Sequence, residues 1–381
     1  MSEAPDPVET LLSPAGRALL ERVTGRHEDL ALATGLRREY PADLVAAAFT
    51  QAELRTAARA KFSRAELMLF TRAGLEQASG ELTARHRASR IAAGARVADL
   101  CCGIGGDLSA LAAGREAVGY DADPVAVRLA AHNAAVYDST PETVAARAEE
   151  VDLAGVDVAF LDPARRDPTG RRGGYRPALS WCLSRPVPTV VKAAPGLDRA
   201  LVPAGWEVEF VAVGRELREA VLWGPLWAAG LARATVLPAG ESLLADPDDP
   251  PAPLAPPGPY LLDPSPAVTR AGAVASLAAR TGGWQLDRRI AFLGLDAPVV
   301  TPFGRCLEVR ASLPWTLTAG RRALNELGVG VLDVRRRGLA GDVDVLRRQL
   351  RLRGSGRAVL VLTRVADRPW GLVCTDPRWT A

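Results

Sequence analysis

The segment ADLCCGIGGDLSAL, residues 98–111, brings acidic side chains, thiols and glycines together in one short run. The apolar residues before it predict a strand, and those after it predict a helix. Glycines between a strand and a helix let the backbone approach a nucleotide closely. The candidate binding residues of this turn are Asp99, Cys101, Gly103, Gly105 and Asp107.

Asp121 and the charge of the turn indicate which nucleotide is bound. Asp121 ends the next predicted strand, where an acid receives the ribose hydroxyls of an adenosine cofactor. Nicotinamide cofactors usually need a third glycine and a helix N-terminus facing a pyrophosphate. Asp99 and Asp107 would repel a pyrophosphate but suit a cofactor that carries an ammonium and a sulfonium. The turn therefore predicts S-adenosyl-L-methionine, with another nucleotide or a purely structural turn as alternatives.

Short apolar strands must position these residues. The runs ARVADLC, EAVGYD, VDVAFLD and VPTVVKA are each followed by a helical or loop segment, as in an open parallel sheet. WEVEFVAVG, REAVLWG and ARATVL are further strand candidates for the same sheet. The sequence thus predicts an α/β fold with a Rossmann-like sheet.

Composition divides the chain into four regions. Residues 1–90 have apolar positions at helical spacing and predict an N-terminal helical region, and residues 91–240 contain the nucleotide-binding sheet. Residues 241–260 are rich in proline and acid, which predicts a linker that is neither helix nor inner strand. Residues 261–381 predict a smaller α/β domain.

Several classes of protein are excluded by composition. No apolar run approaches the roughly 20 residues of a membrane span, and the N-terminus lacks a secretory signal. The five cysteines form no C-x-x-C pair and the three histidines are scattered, so neither a metal site nor a disulfide framework is predicted. We expect a cytoplasmic protein without membrane or metal partners.

Positive charge is concentrated near the C-terminus. Residues 258–381 contain 19 arginines and 10 acidic residues, which indicates a nucleic-acid partner or, alternatively, a solvated arginine-rich surface. Only Lys61 and Lys192 are lysines. They either mark places that need a compact ammonium or are retained by chance.

Longer segments resemble a known enzyme family. VADLCCGIGGDLSALAAGREAVGYDADPVAVRLAAHNAAVYD resembles the cofactor half of class I methyltransferases, closest to the trimethylguanosine synthase group, and ASGELTARHRA resembles a segment that lies against the cofactor there. KFSRAELMLFTRAGLEQAS, FLDPARR, KAAPGLD and VRRRG resemble a bacterial methyltransferase family with a C-terminal THUMP-like domain. The resemblance covers nearly the whole chain and implies an RNA-directed methyltransferase.

The resemblance also implies positions for the cofactor. It places the methionine end of the cofactor among Asp99, Cys101, Gly103, Gly105 and Asp107. The ribose and adenine would lie at Asp121 and Ala122, and Asp123 would cap a helix. Where such folds often have an acid for the adenine amine, this chain has Arg147. Glu149 is either a substitute for that acid or simply an exposed side chain.

In this architecture VDVAFLDPARRDPTGRR carries the transfer site. Enzymes that methylate exocyclic amines place an acid, two prolines and an aromatic residue there, whereas this chain has only Asp162 and Pro163. Asp162 and the Pro163 carbonyl are expected to orient a nucleophilic nitrogen. Tyr175 and Trp181 are candidates for the missing aromatic surface, although core packing is the better interpretation for Trp181. No thiol follows the fifth strand, which argues against thiolate-assisted methylation of a pyrimidine carbon.

Basic residues supply candidate substrate contacts. Arg165 and Arg166 would stack on a base or hold a phosphate, with pairing to nearby acids as the alternative. Lys192 would contact a phosphate or the cofactor carboxylate, or simply face water. Arg336 and Arg337 would contact phosphates without reading sequence.

The combined prediction is an S-adenosyl-L-methionine-dependent methyltransferase acting on a base nitrogen in RNA, either tRNA or rRNA, with a C-terminal domain that binds RNA. Two alternatives stay open. One is a noncatalytic RNA-binding protein on a methyltransferase fold, and the other is a small-molecule methyltransferase.

Overall fold

The computed structural model describes residues 10–166 and 172–377. The chain forms two compact units, here called unit 1 (Met1–Trp206 with Ala220–Ala228) and unit 2 (Glu207–Glu219 with Ala229–Ala381). The expected boundary at residue 90 therefore falls inside unit 1, and the expected linker, residues 241–260, falls inside unit 2. Within the described ranges, no helix is long and apolar enough to cross a membrane.

Five helices occupy residues 14–89 of unit 1. They are α1 (Pro14–Val23), α2 (Leu30–Leu36), α3 (Ala42–Ala58), α4 (Arg72–Gln77) and α5 (Glu81–Ser89). The Ser13 side chain caps α1 by accepting a hydrogen bond from the Gly16 backbone N–H. Leu19, Val45 and Phe70 are fully buried in the shared apolar core. The predicted helical region is thus confirmed.

A mostly parallel sheet forms the rest of unit 1. Its strands are β1 (Arg96–Leu100), β2 (Glu116–Asp121), β3 (Glu142–Ala145), β4 (Val158–Leu161), β7 (Thr189–Ala193) and the Ala220–Trp223 part of β9 (Glu216–Trp223), in the order β3-β2-β1-β4-β7-β9. Only β9 is antiparallel to its neighbour β7. Helices α6 (Leu108–Leu111) and α7 (Pro124–Val136) follow β1 and β2, so the predicted Rossmann-like architecture is confirmed.

A small hairpin and a helix lie between β4 and β7. Strands β5 (Ala164–Arg166) and β6 (Arg172–Arg176) pair antiparallel, and α8 (Leu179–Leu183) follows. Strands β5 and β6 therefore follow Asp162 and Pro163 directly and precede α8 and β7.

Unit 2 contains three strands that the sequence assigned to the nucleotide-binding region or the linker. Strand β8 (Glu207–Val213) is parallel to β10 (Ala232–Leu237), and β10 is antiparallel to β11 (Glu241–Leu244). The expected linker thus begins with a strand. Its prolines start only at Pro247, so the preceding residues are free to pair along one edge.

A second sheet completes unit 2. Its strands are β12 (Tyr260–Pro264), β13 (Trp284–Gln285), β14 (Leu293–Leu295), β15 (Gly304–Pro314), β16 (Val329–Arg336), β17 (Gly356–Val365) and β18 (Arg368–Thr375). They lie in the order β13-β14-β12-β15-β18-β17-β16. The helices of unit 2 are α9 (Pro266–Ala271), α10 (Val274–Thr281), α11 (Leu317–Glu326) and α12 (Val343–Leu350). The smaller C-terminal α/β fold is confirmed.

Candidate functional site

A cavity of about 1000 Å³ lies in unit 1 at the carboxyl ends of the parallel strands. Such ends are where open α/β sheets bind ligands. The cavity is lined by eight of the nine residues expected to bind cofactor or direct transfer: Asp99, Cys101, Gly103, Asp107, Asp121, Ala122, Asp162 and Pro163. Lys192 lines it as well. Gly105 does not.

Asp99 is the most unusual group in the cavity. Its side chain is fully buried, and neither carboxylate oxygen has a hydrogen-bond partner among the described residues. Burial raises the pKa of Asp99 well above its usual range, and the nearby charges of Asp107, Asp162 and Asp121 raise it further. A buried carboxylate of this kind requires either a proton or a bound cation.

Asp107 is also buried, but the protein itself neutralises it. It accepts hydrogen bonds from the Ser79 hydroxyl at 2.6 Å and from Arg87 Nε at 3.0 Å. Burial acts to raise the pKa of Asp107, but the charge of Arg87 and these hydrogen bonds lower it on balance. Arg87 is itself fully buried, and its guanidinium lies 5.7 Å from the centre of the Phe160 ring.

Sequence reasoning missed Ser79 and Arg87. Both lie in the ASGELTARHRA segment, which was noted only for its resemblance to a cofactor-facing segment. The available signal was an arginine in the helix that precedes β1, since the two acids near the glycine turn need a cationic partner.

The two glycines of the turn that have a positive φ, Gly103 and Gly105, face different surroundings. Gly103 has φ of +52°, its added Cβ would meet open space, and its backbone N–H donates to Asp121 Oδ2 at 2.9 Å. Gly105 has φ of +83°, and a Cβ there would lie 2.9 Å from Ala130 Cα on α7. Gly103 therefore permits access to the cavity, whereas Gly105 permits close helix packing.

The ends of β2 and β3 form the opposite part of the cavity. Asp121 Oδ1 accepts a hydrogen bond from the Asp123 N–H, and Asp123 in turn caps α7. Arg147 and Glu149 both line the cavity, with 3.8 Å between Arg147 Nη2 and Glu149 Oε1. Glu149 therefore supplies an acid to this part of the cavity, two residues after Arg147, the position at which the family often has one.

Asp162 and Lys192 form an ion pair at the ends of β4 and β7. Lys192 Nζ lies 2.5 Å from Asp162 Oδ2. Lys192 thus contacts the candidate catalytic acid, Asp162. The sequence had predicted that Lys192 would contact a phosphate or the cofactor carboxylate, or face water. Pro163 is buried beside it.

The candidate aromatic residues have other contacts. The Tyr175 hydroxyl accepts a hydrogen bond from the Ala194 N–H at 3.0 Å, so Tyr175 braces the loop after β7. Trp181 is half-buried under the Arg185 guanidinium, 3.5 Å from the ring centre. The side chains of Arg165 and Arg166 lie outside the described part of the structure.

Comparison with known proteins shows the family. Two sequences from Mycobacterium tuberculosis, strains CDC 1551 / Oshkosh and ATCC 25618 / H37Rv, are each 40% identical over 325 residues, which is 78% of this chain and 85% of theirs. Both are named as uncharacterised S-adenosylmethionine-dependent methyltransferases. This chain belongs to that methyltransferase family.

Further matches concern the fold and single regions of the methyltransferase. The crystal structure of a proposed methyltransferase from Porphyromonas gingivalis W83 is similar with a TM-score of 0.71 at 21% identity, covering 89% of this chain and 92% of that one. Residues 304–376 match the model of a family described as THUMP domain-like. Residues 4–58 match a domain of unknown function.

The cavity suits the cofactor of this methyltransferase family. The buried Asp99 carboxylate has no hydrogen-bond partner among the described residues, and S-adenosyl-L-methionine carries positive groups that could supply one. No atom lies within 4 Å of a Cβ added at Gly103, which leaves room for a ligand. Thiol chemistry is disfavoured, because burial raises the pKa of Cys101 and Cys102, and that of Cys182 to about 12. Among the described residues, no group of three or more ligating side chains could hold a metal ion.

The two candidate arginines of the methyltransferase's C-terminal region lie in unit 2. Arg337 Nη2 is 3.2 Å from both Asp263 Oδ1 and the Pro264 carbonyl, and Nη1 donates to Thr269 at 3.1 Å. Arg337 thus binds its own domain, where sequence reasoning had expected a phosphate contact. Arg336 is half-buried at the end of β16.

Proposed function

We propose that this methyltransferase modifies a nitrogen of a nucleobase in structured RNA, either tRNA or rRNA. The observation that carries the proposal is that one cavity holds both the unpartnered Asp99 carboxylate and the Asp162–Pro163 pair. The first suits a cationic cofactor, and the second offers hydrogen-bond acceptors to a substrate amine.

At the cofactor end, Asp99 would receive the cofactor ammonium and Asp121 the ribose hydroxyls, with Ala122 at the adenine. Asp107 would contribute shape more than charge, because Arg87 already neutralises it. When bound, S-adenosyl-L-methionine supplies a methyl group on a positively charged sulfur, which becomes a neutral thioether as the methyl carbon bonds to the nucleophile.

At the transfer end, Asp162 and the Pro163 carbonyl would orient the substrate nitrogen. Its lone pair must point at the methyl carbon, so its hydrogens must point at acceptors. After the carbon–nitrogen bond forms, the Asp162 carboxylate would take the displaced proton and pass it to water. Positioning supplies most of the rate in this arrangement, because the methyl donor is already reactive.

Two features support RNA as the substrate. The match to a THUMP domain-like family covers residues 304–376, and arginine exceeds acid in that part of the chain. The cavity is lined by seven acidic residues and three basic ones, so phosphates would be repelled from it. We infer that a single unstacked base enters while its phosphates stay outside the cavity.

The test is transfer of labelled methyl groups to total RNA from a strain that lacks the protein. Asp162→Ala should abolish labelling, whereas Asp152→Asn, at an exposed acid outside the cavity, should leave it unchanged. Label that appears only in a small-molecule fraction would replace the RNA proposal with a small-molecule methyltransferase.

A further inference from the structure

The ion pair between Asp162 and Lys192 follows from the register of two strands. Strands β4 and β7 are parallel neighbours in which Leu161 is opposite Val191. The residues that follow this pair, Asp162 and Lys192, therefore emerge side by side at the carboxyl edge of the sheet. Both are largely removed from solvent, with 29% of the Asp162 side chain and 13% of the Lys192 side chain exposed.

The surrounding charges explain why a cation is needed there. Asp99, Asp107 and Asp162 all line the same cavity, and the charges of Asp107 and Asp162 act on Asp99. Arg87 neutralises Asp107, and Lys192 is the matching cation for Asp162. The charge of Lys192 also helps to lower the pKa of Asp107.

The pair leaves the two oxygens of Asp162 in different situations. Oδ2 receives the Lys192 ammonium at 2.5 Å, whereas Oδ1 accepts no hydrogen bond from the side chains and backbone groups that the structure describes. We propose that Lys192 is a positioning residue that fixes the Asp162 carboxylate by holding Oδ2, so that Oδ1 alone faces the substrate. This inference rests on the proposed function, in which Asp162 accepts a hydrogen from the nucleophile.

The arrangement narrows the substrate class. A carboxylate with one oxygen held offers a single acceptor, which suits a nucleophile that still carries a hydrogen. The target is therefore an N–H group such as an exocyclic amine, and not a ring nitrogen with no hydrogen to donate.

The small number of lysines allows a direct test of the pair without any substrate. Labelling the full-length protein with ¹⁵Nζ-lysine gives signals from Lys61 and Lys192 only. Asp162→Ala should shift the Lys192 signal and quicken its hydrogen exchange, while the Lys61 signal serves as the internal control and stays in place. An unchanged Lys192 signal would overturn the pairing.

Kinetics then separate positioning from binding. Lys192→Met should lower kcat by about 10²-fold, the cost expected for misplacing a reacting group. The Kd for S-adenosyl-L-methionine should stay within about 3-fold, and Lys192→Arg should restore part of kcat by restoring the charge. A loss of cofactor affinity at unchanged kcat would make Lys192 a cofactor ligand and overturn the proposal.

The two proposals fail in different ways. If the wild-type protein labels no RNA, the RNA proposal fails, while the NMR measurement still decides whether Lys192 holds Asp162. If Lys192→Met does not fold, the kcat of Lys192→Arg and the Lys192 signal in Asp162→Ala still decide whether Lys192 positions Asp162.

Discussion

Arg87 and Asp107 form a buried ion pair at the wall of the candidate cofactor cavity, with 3.0 Å between Arg87 Nε and Asp107 Oδ1. The pair gives the two acids of the glycine turn opposite roles. Asp107 has its cation within the protein, whereas Asp99 does not. The cavity therefore contains one buried carboxyl group, Asp99, that must either hold a proton or meet a cation from outside the protein.

Replacing Asp99 should weaken cofactor binding without harming the fold. A hydrogen bond to a charged group contributes about 1.5–3 kcal/mol, so Asp99→Asn should raise the Kd for S-adenosyl-L-methionine roughly 10- to 100-fold. The free energy of unfolding of the cofactor-free protein should not fall, because the variant removes an unpaired buried acid. Calorimetric titration and urea unfolding measure the two quantities. Wild-type affinity in Asp99→Asn would show that the cofactor does not rely on this charge.

Cofactor affinity should increase with pH. Burial first, and then neighbouring carboxylates, raise the pKa of Asp99, so between the usual and the raised pKa the empty folded protein holds a proton there that the unfolded chain releases. The free energy of unfolding should therefore fall as pH rises from the ordinary range of aspartate through the raised pKa. A cationic ligand favours the carboxylate, so binding should release a proton over the same range. Calorimetry in buffers of different ionisation enthalpy detects that proton, and Asp99→Asn should not release it.

Removing Arg87 should destabilise the protein strongly. Breaking a buried ion pair leaves an uncompensated charge and costs about 3–5 kcal/mol, so Arg87→Met should lower the free energy of unfolding by that amount. Arg85→Met removes an exposed arginine from the same helix and should cost far less. Adding Asp107→Asn to Arg87→Met should recover part of the loss. Equal stability of the two single variants would contradict the buried pair.

The two glycines of the turn should respond differently to alanine. Gly105→Ala introduces a Cβ 2.9 Å from Ala130 Cα and should destabilise the protein by about 1–3 kcal/mol, since overpacking and a positive φ both oppose it. Gly103→Ala meets open space, so only the strain of its positive φ opposes it; its stability loss should be the smaller of the two, and it should also lower cofactor affinity. Thermal unfolding and cofactor titration of both variants check this division. A larger stability loss in Gly103→Ala would reverse the assignment.

Lys61 should not tolerate arginine. Its ammonium donates to the carbonyl oxygens of Leu75, Glu76 and Ala78 at 2.6, 3.1 and 3.0 Å, at the end of α4 beside the cavity. A planar guanidinium cannot reproduce these bonds, so Lys61→Arg should cost roughly 1–2 kcal/mol of unfolding free energy. Arg59→Lys, at an exposed position, is the matched control. An unaffected Lys61→Arg variant would favour chance retention of this lysine.

The sequence by itself determined the features that depend on local spacing. The alternation of apolar runs and helical segments predicted the parallel sheet, and the glycine turn with Asp99 and Asp121 predicted the cofactor class. These inferences need only residues close together in the chain, because a parallel sheet brings the ends of its strands to one edge whatever the details of packing. The domain division was less accessible, since the strands after residue 206 divide between two compact units.

Only the tertiary structure decided how the charges are paired. Arg87 reaches Asp107 across 20 residues, and Lys192 reaches Asp162 across 30 residues. The choice of these ion-pair partners depends on strand register and on how α5 packs against the glycine turn. Neither can be predicted from the sequence spacing around the acids. For the same reason Gly105 proved to be a packing residue. Local sequence placed the acids at one edge of the sheet, and long-range packing determined which of them has a cationic partner within the protein.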